Sequence, residues 1–186
     1  MESRNQSPTA PAELILGGAR SGKSRYAEQR AIASGLDCIY IATAQAGDAE
    51  MAARIQHHRE QRSGFVATIE EPLQLARIIA EQMSTARCLL IDCLTLWLTN
   101  LLLLGDEQRL AQEISALFAA LKNTRGRILF VSNEVGQGVV PVDALSRRFV
   151  NESGRLHQQL ASVCERVVFV TAGLPQILKD ETSRNQ

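Results

Sequence analysis

LILGGARSGKSRY, residues 14–26, begins with three aliphatic residues, turns through two glycines and runs into Gly22-Lys23-Ser24. The aliphatic run is strand-like and the charged, alanine-bearing stretch that follows is helix-like. Between them, Gly17, Gly18, Ala19, Arg20, Ser21, Gly22, Lys23 and Ser24 match GxxxxGK[ST] in full. The chemistry asks for these residues. Glycines let the backbone curl so that successive N–H groups point at phosphate oxygens, Lys23 adds a cation, and Ser24 offers a hydroxyl to Mg²⁺. The following helix presents the positive end of its dipole to the same anion. A glycine-rich turn can match by chance, but at ordinary residue frequencies only in about one chain per hundred of this size. The strand before and the helix after make a nucleotide-binding P-loop the reading that fits.

Outward from this loop, β-rich apolar runs recur at 13–18, 38–43, 65–70, 88–93, 127–133 and 166–173. Most are continuous rather than alternating, as strands covered on both faces of a parallel sheet require. Helix-compatible stretches lie between them at 22–34, 48–62, 72–84, 94–104, 107–122 and 142–162. That alternation predicts an α/β fold, a single-domain P-loop NTPase whose mostly parallel sheet is flanked by helices. At 186 residues one domain is expected, spanning 13–175, with a polar leader over 1–12 and a C-terminal tail over 176–186. Ligands in such sheets bind beyond the carboxyl ends of the strands. A P-loop NTPase also needs a carboxylate for its metal at the end of a neighbouring strand, and Asp92, closing CLLID, is the candidate. The plainer reading makes Asp92 the cap of the helix starting near Leu94.

Composition narrows the classes. Lys+Arg and Asp+Glu balance at 20 each, and no basic, aromatic-studded stretch is present, which argues against a nucleic-acid module. Cys38, Cys88, Cys93 and Cys164 form no CxxC pair and sit mostly in apolar runs, as buried, reduced thiols of a cytoplasmic protein do. The first dozen residues lack a signal-peptide apolar core. The most apolar run, Leu96 to Leu104, is far short of the ~20 residues needed to span a bilayer, and is expected to be a buried or subunit-facing helix. Trp97 within it is expected in the core. His157 is expected to be structural or solvated.

ARIQHHREQR, residues 53–62, holds two of the three histidines. On a helix through 48–62, Met51, Ile55, His58 and Arg62 share one stripe, whereas His57 projects about a hundred degrees away. The apolar part of that stripe aims His58 at the protein body. Zinc is disfavoured, since adjacent histidines point apart and no cysteine or carboxylate stands at a ligand-like spacing. A charge-laced helix with incidental histidines is the plain reading. The chemical one is nucleophilic catalysis: a neutral imidazole attacks a nucleotide α-phosphate, while Arg59 and Arg62 disfavour imidazolium and neutralise the phosphates.

Taken together, GGARSGKSRYAE (17–28), YIATAQ (40–45), EMAARIQHHREQR (50–62), IDCLTLWLTNLL (91–102), VSNEVGQGVVP (131–141) and RRFVNESGRLHQQLA (147–161) resemble the bifunctional adenosylcobinamide kinase / adenosylcobinamide-phosphate guanylyltransferase family of cobalamin synthesis. The resemblance runs from about Leu14 to Gly173. It implies a RecA-like P-loop domain that phosphorylates adenosylcobinamide with ATP or GTP. The same enzyme then transfers GMP from GTP to adenosylcobinamide phosphate through a GMP-histidine. It further implies His58 as the nucleophile, and nucleotide contacts from Gly17 to Ser24 and from Thr43, Ala44, Gln45, Arg59, Glu60, Gln61, Arg62, Glu70 and Asp92. Mg²⁺ at Ser24 and Asp92, and a homotrimer, complete the implied set. Asn133, Glu134 and Gly136, after the strand RILFV, read either as turn chemistry or as substrate-positioning groups. The alternatives are a plain P-loop kinase that never retains GMP and a nucleotide-gated DNA-handling module.

Overall fold

β1 (Ala10–Gly17) is buried over nearly its whole length, and its alternate side chains feed two cores. Leu14 and Leu16 join Ile39, Ile41, Leu89, Ile91, Ile128 and Phe130 on one face, whereas Ile15 joins Tyr40, Leu90, Leu129, Val131 and Val168 on the other. This double coverage is why the strands read as continuous apolar runs, each buried Leu, Ile or Val contributing about 1.5–3 kcal/mol. The computed structural model describes residues 10–44 and 64–182.

Within that range the chain continues as α1 (Lys23–Ile32), β2 (Asp37–Ala42), β3 (Ala67–Glu70), α2 (Leu75–Gln82) and β4 (Arg87–Asp92). Then follow α3 (Leu94–Leu103), α4 (Glu107–Lys122), β5 (Arg127–Asn133), α5 (Ala144–Val163), β6 (Cys164–Thr171) and β7 (Leu174–Asp180). The seven strands form one sheet in the order β3-β2-β4-β5-β1-β6-β7. All neighbouring pairs are parallel except β6 with β7. Helices α2 to α5 supply the first core, and Ala27 and Ala31 of α1 pack into the second.

The expected strands and helices are found wherever the residues are described; the helix expected over 48–62 lies outside them. β7 is an addition. It takes in 174–180, which the sequence reading leaves mostly in the tail, because an edge strand exposed along nearly its whole length has no apolar run to announce it. Trp97 is fully buried and its indole N–H donates to Leu73 O at 2.7 Å. All four cysteines are buried free thiols, and burial pushes Cys88 and Cys164 up to about 12 and Cys93 to about 11. Among the described residues no helix is long and apolar enough to cross a membrane.

At the amino ends of the strands, Glu13 is a fully buried carboxylate that faces Arg30 of α1 at 3.1 Å, Arg127 of β5 at 3.4 Å and Arg166 of β6 at 3.4 Å. It ties β1 to both neighbouring strands and to α1. The carboxyl ends of the same strands are thereby left to chemistry.

Candidate active site

The loop after β1 closes as its sequence demands. Arg20 (φ 55°) and Gly22 (φ 95°) both lie in the left-handed region, and Ser21 N–H donates to Gly18 O at 3.2 Å. Gly17 has no room for a side chain: a Cβ there would stand 2.5 Å from both Ser21 Oγ and Val170 O. Lys23 is buried, its Nζ donating to Gly18 O at 3.3 Å across the loop. Gly22 caps α1 with no side-chain acceptor, so the first N–H groups of that helix are not taken up by a capping side chain. Ser21 Oγ is buried without a partner. A cradle with a buried cation, an uncapped helix start and an orphaned hydroxyl is shaped for a phosphate.

The turn between β6 and β7 braces this loop from behind, a contact not anticipated from the sequence. Gly173 N–H donates to Ser21 O at 2.8 Å, and a Cβ on Gly22 would meet Gly173 Cα at 3.1 Å. The close approach favours glycine at 22, whereas Gly173 is open around its Cα and answers instead to its left-handed φ of 79°; the signal for the turn was the Ala-Gly pair ending the β6 run.

Asp92 closes β4, and its Oδ2 accepts the Tyr40 hydroxyl at 2.9 Å. It is not a helix cap: α3 begins after Cys93, with no side-chain cap bond. Nor does it stand on the strand beside β1, as expected, since β5 lies between β1 and β4. The C-terminal end of β5 therefore opens between the phosphate loop and Asp92. Thr43, at the end of β2, is completely buried and engaged within the fold: its Oγ1 donates to Cys93 O at 2.7 Å and accepts Cys93 N–H at 2.9 Å, and its carbonyl accepts Asn100 Nδ2 at 2.9 Å. Its part is to fix where Ala44 leaves the sheet. Glu70 ends β3 beside Ala42. The neighbouring Glu71 is the buried one, accepting the N–H groups of Leu73 at 3.0 Å and Gln74 at 2.8 Å and pairing with Arg77 at 2.6 Å. Although burial opposes it, these donors together lower its carboxyl below the usual range. Gln45, His57, His58, Arg59, Glu60, Gln61 and Arg62 lie outside the described residues.

β5 brings a second polar group to this edge. Glu134 N–H donates to Gly17 O at 3.0 Å, stitching the 133–136 turn to the root of the phosphate loop. Glu134 Oε1 accepts Gly136 N–H at 2.6 Å, and Oε2 lies 3.6 Å from Nδ1 of His157 on α5. His157 is buried, and its Nε2 is 2.7 Å from Ser132 Oγ, which is 3.2 Å from Thr95 Oγ1. Thr95 Oγ1 in turn accepts Asn133 N–H at 2.7 Å. Burial holds the imidazole below its ordinary value, against the opposing pull of Glu134.

Mg²⁺ fits these residues. It is a hard cation that takes one or two protein oxygens alongside nucleotide phosphates rather than a cage of side chains. Among the described residues no cluster of three or more His, Cys, Asp or Glu could hold a metal alone. Ser24 in the first turn of α1 and Asp92 at the end of β4 are oxygen donors of the right kind, and α1 packs against β4.

Three known proteins and a solved structure are similar to this chain. The bifunctional adenosylcobalamin biosynthesis protein CobP of Pseudomonas aeruginosa is 59% identical over 91% of this chain and 98% of its own length. The corresponding CobU proteins of Escherichia coli and Salmonella typhimurium are 40% and 38% identical, each over 87% of this chain and 96% of the relative. A solved chain from Pyrococcus horikoshii, 10% identical, superposes with a TM-score of 0.56 over 95% of this chain and 90% of its own, which bears on the fold alone. The cobinamide kinase / cobinamide phosphate guanyltransferase family matches residues 13–178, and the chain belongs to that family.

Proposed function

We propose that the two activities of this family, cobinamide phosphorylation and guanylyl transfer to the product, run on one nucleotide site at the carboxyl ends of β1, β5 and β4. The observation that carries the reading is the phosphate loop: a buried Lys23, an uncapped α1 and a Gly17 that tolerates no side chain, in a chain of this family. In the kinase step the hydroxyl of the aminopropanol arm of adenosylcobinamide attacks the γ-phosphorus of ATP or GTP. The loop N–H groups and Lys23 hold the triphosphate and take up charge as the nucleoside diphosphate leaves. Ser24 and Asp92 would hold Mg²⁺, which when bound supplies further charge neutralisation between the phosphates.

In the second step His58 is the nucleophile. Its imidazole attacks the α-phosphorus of GTP, pyrophosphate departs, and the phosphate of adenosylcobinamide phosphate then displaces the imidazole from GMP to give adenosylcobinamide-GDP. Gln45, Arg59, Glu60, Gln61 and Arg62 flank the nucleotide, with Thr43 and Ala44 where the chain leaves β2 and Glu70 at the adjacent carboxyl end of β3. The protein acts in the cytoplasm as a homotrimer, a reading that its buried free thiols and exposed apolar surface support.

The test is to incubate the protein with Mg²⁺ and α-phosphate-labelled GTP, denature it, and follow label that survives base and leaves in acid. Wild type and His57→Ala should retain label and His58→Ala should not. A wild type that consumes γ-phosphate yet never retains label would leave a kinase without the histidyl route.

A further inference from the structure

In the kinase step the cobinamide hydroxyl must lose a proton, and the array of Glu134, His157, Ser132 and Thr95 lies at the same sheet edge without a role in binding phosphate. A Ser-His-Glu arrangement suggests a hydrolytic nucleophile, but Ser132 is 1% exposed and no substrate reaches it. The directions of the hydrogen bonds indicate another role. Thr95 Oγ1 accepts Asn133 N–H, so its own proton is free to go to Ser132 Oγ, and the Ser132 proton then goes to Nε2 of His157. That order leaves the single imidazole proton on Nδ1, facing Glu134 Oε2 at 3.6 Å. The opposite order would aim a bare nitrogen lone pair at a carboxylate. Nδ1 is buried and has no hydrogen-bond partner, an expensive state that a small advance of the carboxylate would relieve. Catalytic hydrogen bonds are often this long before substrate binds and tighten afterwards.

Asp92 is poorly placed to take the proton. Its Oδ2 already accepts the Tyr40 hydroxyl, and the reading above gives its carboxylate to Mg²⁺. Glu134 directly follows β5, the strand between Asp92 and the phosphate loop, and is fixed to Gly17 through its own N–H, with its side chain still 20% exposed.

We propose that Glu134 is the catalytic base of the kinase step, and that His157, held by Ser132 and Thr95, is the positioning residue that sets its carboxylate. The inference rests on the kinase reading above. As the hydroxyl oxygen bonds to the γ-phosphorus, the bond from that phosphorus to the β–γ bridging oxygen breaks and its electron pair leaves with the nucleoside diphosphate. The hydroxyl proton passes to Glu134 and then to solvent.

The experiment measures cobinamide phosphate formed from adenosylcobinamide, ATP and Mg²⁺ by the full chain and by Glu134→Gln, His157→Gln and His157→Asn, with melting temperatures alongside. Glu134→Gln should lower kcat by about a hundredfold or more while the KM for ATP holds within about twofold. An asparagine amide can place an N–H where Nδ1 stood, whereas a glutamine amide reaches only the Nε2 position. His157→Asn should therefore keep kcat within a few-fold of wild type and His157→Gln should lose about tenfold or more. If the His157 variants do not fold, Ser132→Ala, which frees Nε2, should lower kcat without raising the KM for ATP. A Glu134→Gln enzyme within about threefold of wild type overturns the assignment of the base. Equal losses in the two His157 variants that follow their melting temperatures, or an unchanged kcat in Ser132→Ala, overturn the positioning role. A wild type that forms no cobinamide phosphate overturns the kinase reading as well.

Discussion

Gly17 shows how little freedom the loop leaves to a single residue. A methyl group there would sit 2.5 Å from a backbone carbonyl, Val170 O, which cannot rotate away as the Ser21 hydroxyl can. Gly17→Ala is expected to force the loop off the end of β6, with nucleotide affinity falling by tenfold or more; fluorescence titration with a labelled nucleotide would measure it, and unchanged affinity would refute the packing argument. His157 makes a different demand, on pH. Its folded-state value is held below the ordinary 6.5 by burial, so above that pH the ring is neutral whether the chain is folded or not. Below it the unfolded chain takes up a proton that the folded chain resists. Stability is then lost as pH falls from about 6.5 toward the depressed folded value, at up to ~1.4 kcal/mol per pH unit. Urea titrations at descending pH should show this loss in wild type and a shallower one in His157→Asn, whose side chain does not titrate. Parallel curves would exclude His157 as the group responsible.

At the scale of elements, β1 is held at both ends by different means. Its carboxyl end turns into the phosphate loop, and its amino end is clamped by Glu13 among Arg30, Arg127 and Arg166. Removing a buried charge strands its partners, so Glu13→Ala should destabilise the fold by about 3–5 kcal/mol in denaturant titration while the carboxyl-end site keeps its affinity for nucleotide in conditions where the variant is folded. A loss below about 1 kcal/mol would mean that the arginines find water instead. This clamp was not legible in the sequence, because nothing in ELILGG says which strands will flank it. The same limit hid the true place of Asp92. An apolar run betrays a strand, and GxxxxGK[ST] betrays a loop, because both signals are local. Strand order is set by pairing between distant segments, and it put β5 where Asp92 was expected to adjoin β1. β7 escaped for the opposite reason: Leu174–Asp180 is exposed along one edge and pairs through its backbone, which leaves no side-chain pattern. His157, one histidine in an amphipathic helix, gave no sign of Ser132 and Glu134 until the fold brought α5 over the end of β5.

At the scale of the whole molecule, apolar surface among the described residues is exposed near one end of α3 and α5. Val139, Val140 and Val142 are 97%, 71% and 94% exposed, and Leu103, Leu104 and Leu145 are more than half exposed. Between them runs a groove lined by Thr99, Leu102, Leu103, Leu145, Ser146 and Phe149. Exposed apolar surface of this kind on a folded chain marks an interaction surface, and the proposed homotrimer would cover it. A closed three-fold assembly uses two different patches on each subunit, one meeting the other in head-to-tail fashion. The pair to test is the exposed valine segment of one subunit against the α3–α5 groove of the next. Light scattering should therefore give three times the chain mass for wild type, and Val142→Asp combined with Leu145→Asp should give the mass of one chain with the melting transition still cooperative. The valine segment follows directly from the Asn133-Glu134-Val135-Gly136 turn, so dissociation should also weaken cobinamide phosphorylation even though neither substituted residue is assigned to the site. A wild type of single-chain mass would remove the trimer. A variant that stays trimeric with full kinase rate would move the contact to another face, where the exposed Leu174, Ile177 and Leu178 of β7 are the next apolar surface to test.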